Sequence, residues 1–363
     1  MKDYPKNQIE LQAEGNKKTY RGIDVCKLLC AILVVVLHAI ESSSWYANEV
    51  KFVFTRFAVP FFFIASGFFF TLRLEHAEDK KKYFIHYEKR IIITYFIWAC
   101  VIYLPFEIMS YISNNPESSF LKIVLLLVRR YLFIGPGPYW YLLALFLSIA
   151  FLFFCQAHKL DKLLIFFSIF GMTVEIAYTG FRDVLSQYSI FNLAFKGIYF
   201  LFSFEFNFIM FGIPFVSVGY YIAQNNITWA KGKSVIIFLI ATVGRFIEYN
   251  LPILNRDPNG AQFSVCFIFQ AIALFLLAKE VHCKSLKTDV FRTIRQLSST
   301  IYFIHSIILY EILNPIITSL TKLPVYADWM IAPKVIITLV LSCLFYYAIR
   351  KIDNRHLNYL INV

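Results

Sequence analysis

Ten apolar runs, each long enough to cross a lipid bilayer as a helix, follow one another along the chain. A membrane-spanning helix takes about 20 mostly apolar residues. The runs lie at 23–41, 52–72, 89–111, 138–157, 161–179, 206–223, 234–250, 261–279, 297–319 and 331–350. Only 16% of the 363 residues are charged, whereas a soluble domain averages roughly 25%. The sequence therefore predicts an all-α polytopic membrane protein with about ten transmembrane helices.

Two further apolar stretches, at 120–134 and 190–204, are interrupted or short. We interpret them as interfacial or re-entrant pieces, with a membrane crossing left open for either. The predicted organisation is a segment over 1–22, a transmembrane domain over 23–350 and a tail over 351–363.

Lys and Arg residues fall mainly in alternate loops of this helix map. With the N-terminus inside, 23 of the 35 lie on the inner side and 10 on the outer side, while Lys27 and Arg245 fall within helices. Because cytoplasmic loops carry the excess of basic residues, we expect both termini in the cytoplasm of a multi-pass cell-membrane protein. The basic residues that give the net charge of +12 are thus explained by the orientation of the helices. We therefore expect the protein to contact the lipid bilayer and not nucleic acid. The first run could instead be a secretory signal, but its length favours a spanning helix.

Polar side chains form a stripe along the first helix. At 100° per residue, Lys27, His38 and Glu41 fall on one face. Lys27 precedes His38 by eleven residues, which is about 16 Å along a helix axis, with the Lys towards the cytoplasm. Ionisable residues inside a span are costly and usually functional. The structural alternative is a polar seam between helices, with Lys27 reaching the inner surface.

Other buried charges are predicted in the outer half of the membrane. They are Arg56, Glu107, Glu175, Arg245 and Glu248. Scattered structural charges would not prefer one leaflet, so we infer a water-accessible cavity that opens outward, with His38 and Glu41 on its wall. Arg245 and Glu248, three residues apart, could instead neutralise each other.

The common nucleotide- and metal-binding motifs do not occur in the sequence. There is no P-loop, no HExxH and no paired CxxC, and residues 135–140 lack the last glycine of a dinucleotide fingerprint. We therefore expect no metal. His305, in the ninth apolar run, is equally explained as a catalytic residue and as a hydrogen-bonded packing residue.

Six short motifs occur in a fixed order along the chain. They are Arg21-Gly-Ile-Asp-Val-Cys-Lys27 with Val34-Val-Val-Leu-His38, Arg56-Phe-Ala-Val-Pro60 with Ser66-Gly67, Lys89-Arg90, Tyr139-Trp140-Tyr-Leu-Leu-Ala-Leu145, Ile213-Pro214 with Gly219, and Ser299-Thr-Ile-Tyr302 with His305. In this order they resemble the acyltransferase type 3 family of integral membrane enzymes, and within it the branch that includes the membrane domain of VanT-type serine racemases and small exopolysaccharide acetyltransferases. Many members have Arg in place of Lys27, and the racemase branch has an Arg-Asn pair where Glu205-Phe-Asn207 stands here.

The resemblance implies that residues 23–350 form an acyltransferase domain. Such an enzyme moves an acyl group, which we expect to be acetyl, from cytoplasmic acyl-CoA to a hydroxyl on an extracytoplasmic acceptor, which we expect to be a cell-surface glycan or a related small molecule. The alternative is a transporter or flippase for a glycan or small anion, which would use the same outward cavity. The sequence also allows a homodimer.

Acyl transfer to an alcohol needs a base and a group that stabilises the oxyanion. Histidine has an unperturbed pKa of about 6.5 and can take the hydroxyl proton at neutral pH, so His38 is the candidate general base or, alternatively, a transient acyl carrier. Glu41 could orient or charge-stabilise its imidazole, and Arg56 or Tyr302 could serve the oxyanion. His305 is the remaining catalytic candidate.

The donor, acetyl-CoA or another acyl-CoA, requires cations near the inner surface. Lys27 is placed to meet its pantetheine or pyrophosphate, and Lys89 and Arg90 to meet its phosphates, although membrane topology explains the last two equally well. Ser66 and Trp140 complete the candidate donor-binding residues. Close helix packing and anchoring at the membrane interface are their structural alternatives.

Overall fold

The computed structural model describes residues 20–41, 44–114, 119–202, 207–251, 265–282, 288–321, 327–352 and 360–361. Within these ranges all regular structure is helical. The helices of ten or more residues are α1 Arg21–Ala39, α2 Trp45–Glu75, α3 Lys80–Asn114, α4 Phe120–Arg129, α5 Gly137–Ala157, α6 Asp161–Gly180, α7 Ser189–Phe202, α8 Phe208–Gln224, α9 Lys231–Asn250, α10 Val265–Glu280, α11 Asp289–Ser319 and α12 Asp328–Ile352. Most of the predicted segments 1–22 and 351–363 lies outside the described residues.

Each of the ten predicted runs contains a helix, and the prediction of an all-α polytopic membrane protein is confirmed. Among the described residues seven helices are long and apolar enough to cross a membrane: α1, α2, α3, α5, α6, α11 and α12. Of the other three, α8 is a shorter apolar helix, α10 has 16 residues, and α9 has 20 but includes Arg245 and Glu248. Ten membrane crossings therefore stay a prediction, as do the membrane positions of α4 and α7.

The surface of the bundle carries large apolar side chains of the kind that faces lipid. On α9, for example, Ile236, Leu239, Ile240 and Val243 are all more than half exposed. A soluble monomer rarely leaves a contiguous apolar strip of this kind uncovered, whereas lipid tails solvate it. The opposite face of α9, with Ala241 and other small or polar residues, is buried against neighbouring helices.

Helix α1 lies inside the bundle and contacts α2, α10, α11 and α12. Glycines permit the closest crossings. A side chain at Gly67 of α2 would collide with the backbone of Val216 in α8, and one at Gly219 of α8 would collide with the carbonyl of Ile64 in α2. Small residues at such crossings let membrane helices pack backbone to backbone, so Gly67 serves helix packing.

Several helices contain π-helical segments, in which the backbone hydrogen bonds are shifted by one residue. They include Val50–Thr55 in α2, Phe96–Tyr103 in α3 and Ile307–Leu313 in α11. Such segments are uncommon and frequently occur at functional sites. In α2, the carbonyl of Phe52 accepts a hydrogen bond from Arg245 Nε at 3.3 Å, and that of Val53 accepts one from Gln270 Nε2 at 3.1 Å. Buried polar side chains of α9 and α10 thus support the segment that leads into Arg56.

Candidate active site

The site is organised along α1, where Lys27 and His38 lie on one face. Eleven residues separate them, which is about 16 Å of helix. Ala31 and Val34, which lie on the same face between them, are buried. Helix α1 therefore joins a polar region at its N-terminal end to another at its C-terminal end, through the interior of the bundle.

At the C-terminal end of α1, the imidazole of His38 faces that of His305 on α11. Their ring centroids are 5.1 Å apart and the rings are inclined by 38°. His305 is fully buried and His38 is partly buried. The structure thus brings together the two histidines that the sequence singled out separately.

Tyr310, in the π-helical segment of α11, holds the imidazole of His38 with two contacts. Its hydroxyl donates to the backbone carbonyl of His38 at 3.1 Å, and its oxygen lies 3.2 Å from His38 Nδ1. Because the single hydroxyl proton goes to the carbonyl in this arrangement, we assign Nδ1 of His38 as the donor in the second contact. The neutral imidazole therefore carries its lone pair on Nε2.

His305 has the same tautomer for a different reason. Its Nδ1 lies 2.6 Å from the carbonyl oxygen of Tyr302 and 3.2 Å from that of Ile301. Carbonyl oxygens only accept hydrogen bonds, so Nδ1 carries the proton. Its Nε2 is buried and has no hydrogen-bond partner among the residues that the structure describes.

Glu41, predicted to orient His38, binds other groups. One carboxylate oxygen is 2.7 Å from Lys334 Nζ, and Asn314 donates to the carboxylate at 3.1 Å. Lys334 lies near the start of α12 and its side chain is almost completely buried, at 2% exposed. Glu41 therefore ties the end of α1 to α11 and α12, while Tyr310 supplies the direct contact to His38.

The two oxyanion candidates differ in the number of their hydrogen-bond donors. Tyr302 donates its only hydroxyl proton to the carbonyl of Pro138 at 2.8 Å, so that proton already has an acceptor. Arg56 has five N–H donors; its guanidinium lies 5.2 Å from the ring centroid of Phe52 and within electrostatic range of His38. We therefore keep Arg56 as the oxyanion candidate.

Four basic residues, Lys27, Arg73, Arg90 and Arg295, form a cationic cluster at the other end of α1. Lys27 is within electrostatic range of Arg73, Arg90 and Arg295, and Arg295 forms a 2.8 Å ion pair with Asp24. These side chains come from four helices, α1, α2, α3 and α11. The structure gathers cations here that are far apart in the sequence.

Lys89 and Arg90, adjacent in sequence, take different positions. Arg90 joins the cationic cluster, and its guanidinium lies 5.9 Å from the ring centroid of Tyr87. Lys89 is exposed and lines a shallow surface cavity of about 360 Å³ with His86 and Lys82. Of this pair, only Arg90 belongs to the cationic cluster.

Polar and aromatic groups occupy the interval between the cationic cluster and the histidines. The hydroxyls of Ser66 and Tyr141 are 3.2 Å apart, and the Tyr141 ring lies 5.4 Å from that of Tyr302. Tyr302 in turn lies 5.9 Å from His305. Trp140 packs nearby, with its ring 6.0 Å from Phe63.

The match to known proteins covers both ends of this site. Residues 20–351 match the family model for acyltransferase type 3, described as an acyltransferase domain. The chain belongs to the acyltransferase type 3 family. The chain is also similar to an amino-acid racemase of Enterococcus faecalis, with 33% identity over 97 residues, which is 26% of this chain and 13% of the racemase. The chain therefore spans only a small part of that relative's length. No solved structure matches it.

Several residues of the candidate site were not singled out from the sequence. Tyr310, Asn314, Lys334 and Arg295 all reach it through tertiary packing. Lys334 offered a signal, since it is a charged residue within an apolar run. Tyr310 offered none, because it follows His305 by five residues, which would place the two about 140° apart around a regular α-helix.

Of the charges predicted for the outer half of the membrane, only Arg56 lies within electrostatic range of His38 among the described residues. Glu107 forms a 2.7 Å ion pair with Arg130, Glu175 is buried in α6, and Glu248 accepts from the backbone of Cys266 at 3.3 Å. Arg245 supports α2 through the carbonyl of Phe52. The outward cavity stays a prediction.

Proposed function

We propose that this acyltransferase transfers an acetyl group from cytoplasmic acetyl-CoA to a hydroxyl of an extracytoplasmic glycan. In this proposal the protein crosses the cell membrane ten times and both termini lie inside. The observation that carries it is the placement of Lys27 and His38 at opposite ends of one face of α1. Lys27 lies in the cationic cluster, and His38 faces the imidazole of His305.

The inner end suits the nucleotide part of the donor. Arginine and lysine are the usual partners of phosphate groups, and Lys27, Arg73, Arg90 and Arg295 supply such cations from four helices. The pantetheine arm would then extend towards the histidines past the Ser66–Tyr141 hydroxyl pair. This direction brings the thioester from the cytoplasmic side to the place where α1 ends.

The reaction assigns one proton transfer to His38. Its Nε2 lone pair takes the proton of the acceptor hydroxyl while the oxygen attacks the thioester carbonyl carbon. Arg56 stabilises the negative charge that develops on the carbonyl oxygen. The carbon–sulfur bond then breaks, and the CoA thiolate receives the proton from His38. The products are the acetyl ester of the acceptor and free CoA.

The experiment uses purified protein in proteoliposomes, labelled acetyl-CoA and a glycan fraction extracted from cell envelopes. We expect wild-type protein to release free CoA and label the glycan, and His38→Ala to do neither while remaining in the membrane. His76→Ala is the matched control, because His76 is exposed at the end of α2. Acetyl-CoA left intact by the wild type, as a transporter or flippase would leave it, would refute the proposal.

The same assay separates the two roles of His38. A general base forms no covalent intermediate, so we expect no label on the protein when the glycan is omitted. Stable label on wild-type protein, lost in His38→Ala, would instead make His38 an acyl carrier.

A further inference from the structure

An unpartnered acceptor lies inside the site. Nε2 of His305 is buried without a hydrogen-bond partner among the described residues, and the hydrogen bonds from Nδ1 to Tyr302 and Ile301 place the lone pair on Nε2. Leaving a buried acceptor unpaired costs stability. An apolar side chain of similar size would fill this position without that cost, so packing alone does not account for an imidazole here.

The position of His305 along α11 indicates which substrate could supply the missing donor. His305 precedes Tyr310, which holds His38, by five residues, or about 7 Å of helix towards the N-terminal end of α11. Arg295, in the cationic cluster, lies further in that same direction. His305 therefore lies on the donor side of His38, between it and the cations.

The neighbours of His305 indicate the same direction. Its ring is 5.9 Å from Tyr302, which lies 5.4 Å from Tyr141, and the Tyr141 hydroxyl is 3.2 Å from that of Ser66. These groups form the interval through which the pantetheine arm would pass. The first amide N–H of that arm is separated from the thioester sulfur by only the cysteamine ethylene group, so it would come close to His38 together with the thioester.

We propose that His305 Nε2 accepts a hydrogen bond from the cysteamine amide N–H of the acyl-CoA donor and thereby positions the thioester beside His38. The inference rests on the proposed function. No bond is made or broken at His305, and its tautomer stays the same throughout. His305 would thus be a donor-binding residue, whereas His38 moves the proton.

The test compares two donors and two proteins. One donor is acetyl-CoA, and the other is an analogue in which an ester oxygen replaces the cysteamine amide N–H, so that shape is kept and the hydrogen is lost. We expect the wild type to prefer acetyl-CoA by about 10- to 100-fold in kcat/KM, because the ester analogue leaves the buried acceptor Nε2 without a donor. In His305→Leu the preference should disappear, because both donors then lack the partner.

Rescue by His305→Gln distinguishes binding from packing. A glutamine oxygen can accept near the position of Nε2, so we expect it to restore part of the preference for the N–H donor, and this measurement stands even where His305→Leu fails to fold. Equal loss for both donors, with the preference retained, would make His305 a packing residue and overturn the inference.

Two further outcomes are distinct. Wild-type turnover of both donors at equal rates would overturn the inference and leave the proposed function intact, whereas no turnover of either donor would refute the proposed function itself. The same two proteins are also compared with acceptor substrates that carry two hydroxyls or one. If His305→Leu lost a preference for the diol while its preference between the two acyl donors stayed unchanged, Nε2 would bind the acceptor substrate, and this result would also overturn the inference.

Discussion

Tyr310 and His38 exchange two contacts, one through the side-chain nitrogen and one through the backbone carbonyl of the histidine. The hydroxyl donates to the carbonyl at 3.1 Å and accepts from Nδ1 at 3.2 Å. The tyrosine therefore determines both the tautomer of the imidazole and the direction in which Nε2 faces. In hydrolases the residue that orients the catalytic histidine has this same task.

Removing the Tyr310 hydroxyl should slow catalysis without weakening donor binding. In Tyr310→Phe, Nδ1 of His38 loses its acceptor, and the imidazole is free to take the other tautomer. We expect kcat to fall about 10- to 100-fold, less than the roughly 100- to 10,000-fold attributed to general base catalysis, because the base remains and only its orientation is lost. KM for acetyl-CoA should stay within about twofold. Tyr188→Phe, at an exposed position, should match the wild type. An unchanged kcat in Tyr310→Phe would show that the hydroxyl does not orient His38.

The ion pair between Glu41 and Lys334 should contribute to stability. Removing one partner of a buried pair leaves the other charge uncompensated, which typically costs about 3 kcal/mol or more. We expect Glu41→Gln to lower the thermal unfolding temperature in detergent, and Glu41→Gln combined with Lys334→Met to recover most of the loss. If the double variant were less stable than the single one, the two residues would contribute independently.

The cationic cluster should recognise the nucleotide of the donor. We expect Lys27→Met and Arg90→Met each to raise KM for acetyl-CoA by about tenfold, since one charged hydrogen bond is worth about 1.5–3 kcal/mol. KM for S-acetylpantetheine, which lacks the nucleotide phosphates, should not change. Lys89→Met is the matched control, because Lys89 is exposed and lies outside the cluster. An equal rise in KM for acetyl-CoA and for S-acetylpantetheine would show that the cluster does not recognise the nucleotide.

The features that could be predicted from the sequence are those that depend on local pattern and not on helix packing. The positions of the ten helices and the common face of Lys27 and His38 depend on local apolar patterning and regular α-helical geometry, and the structure contains those helices. The approach of His305 to His38 depends on the register of α11 against α1, which no local pattern specifies.

The π-helical segments are a second reason. Each shifts the register of its helix, so the residues after Val50 and Ile307 do not follow the 100° rotation used to read a sequence. Tyr310 and Asn314, which contact His38 and Glu41, lie at or beyond such a shift. Lys334 stood out as a charge within an apolar run, but its pairing with Glu41 depends on the packing of α12 against the end of α1.

The most direct test of the account is the sidedness of acetyl transfer. Sealed proteoliposomes of uniform orientation are given labelled acetyl-CoA on one face only and a membrane-impermeant glycan acceptor on the other. The face is identified by labelling a cysteine placed at exposed Lys81, in the first turn of α3. We predict that acetyl-CoA is used only from the face that exposes position 81, that the ester forms only on the opposite face, and that His38→Ala abolishes it. Ester formation on the same face as acetyl-CoA, or equal use of acetyl-CoA from both faces, would contradict the account.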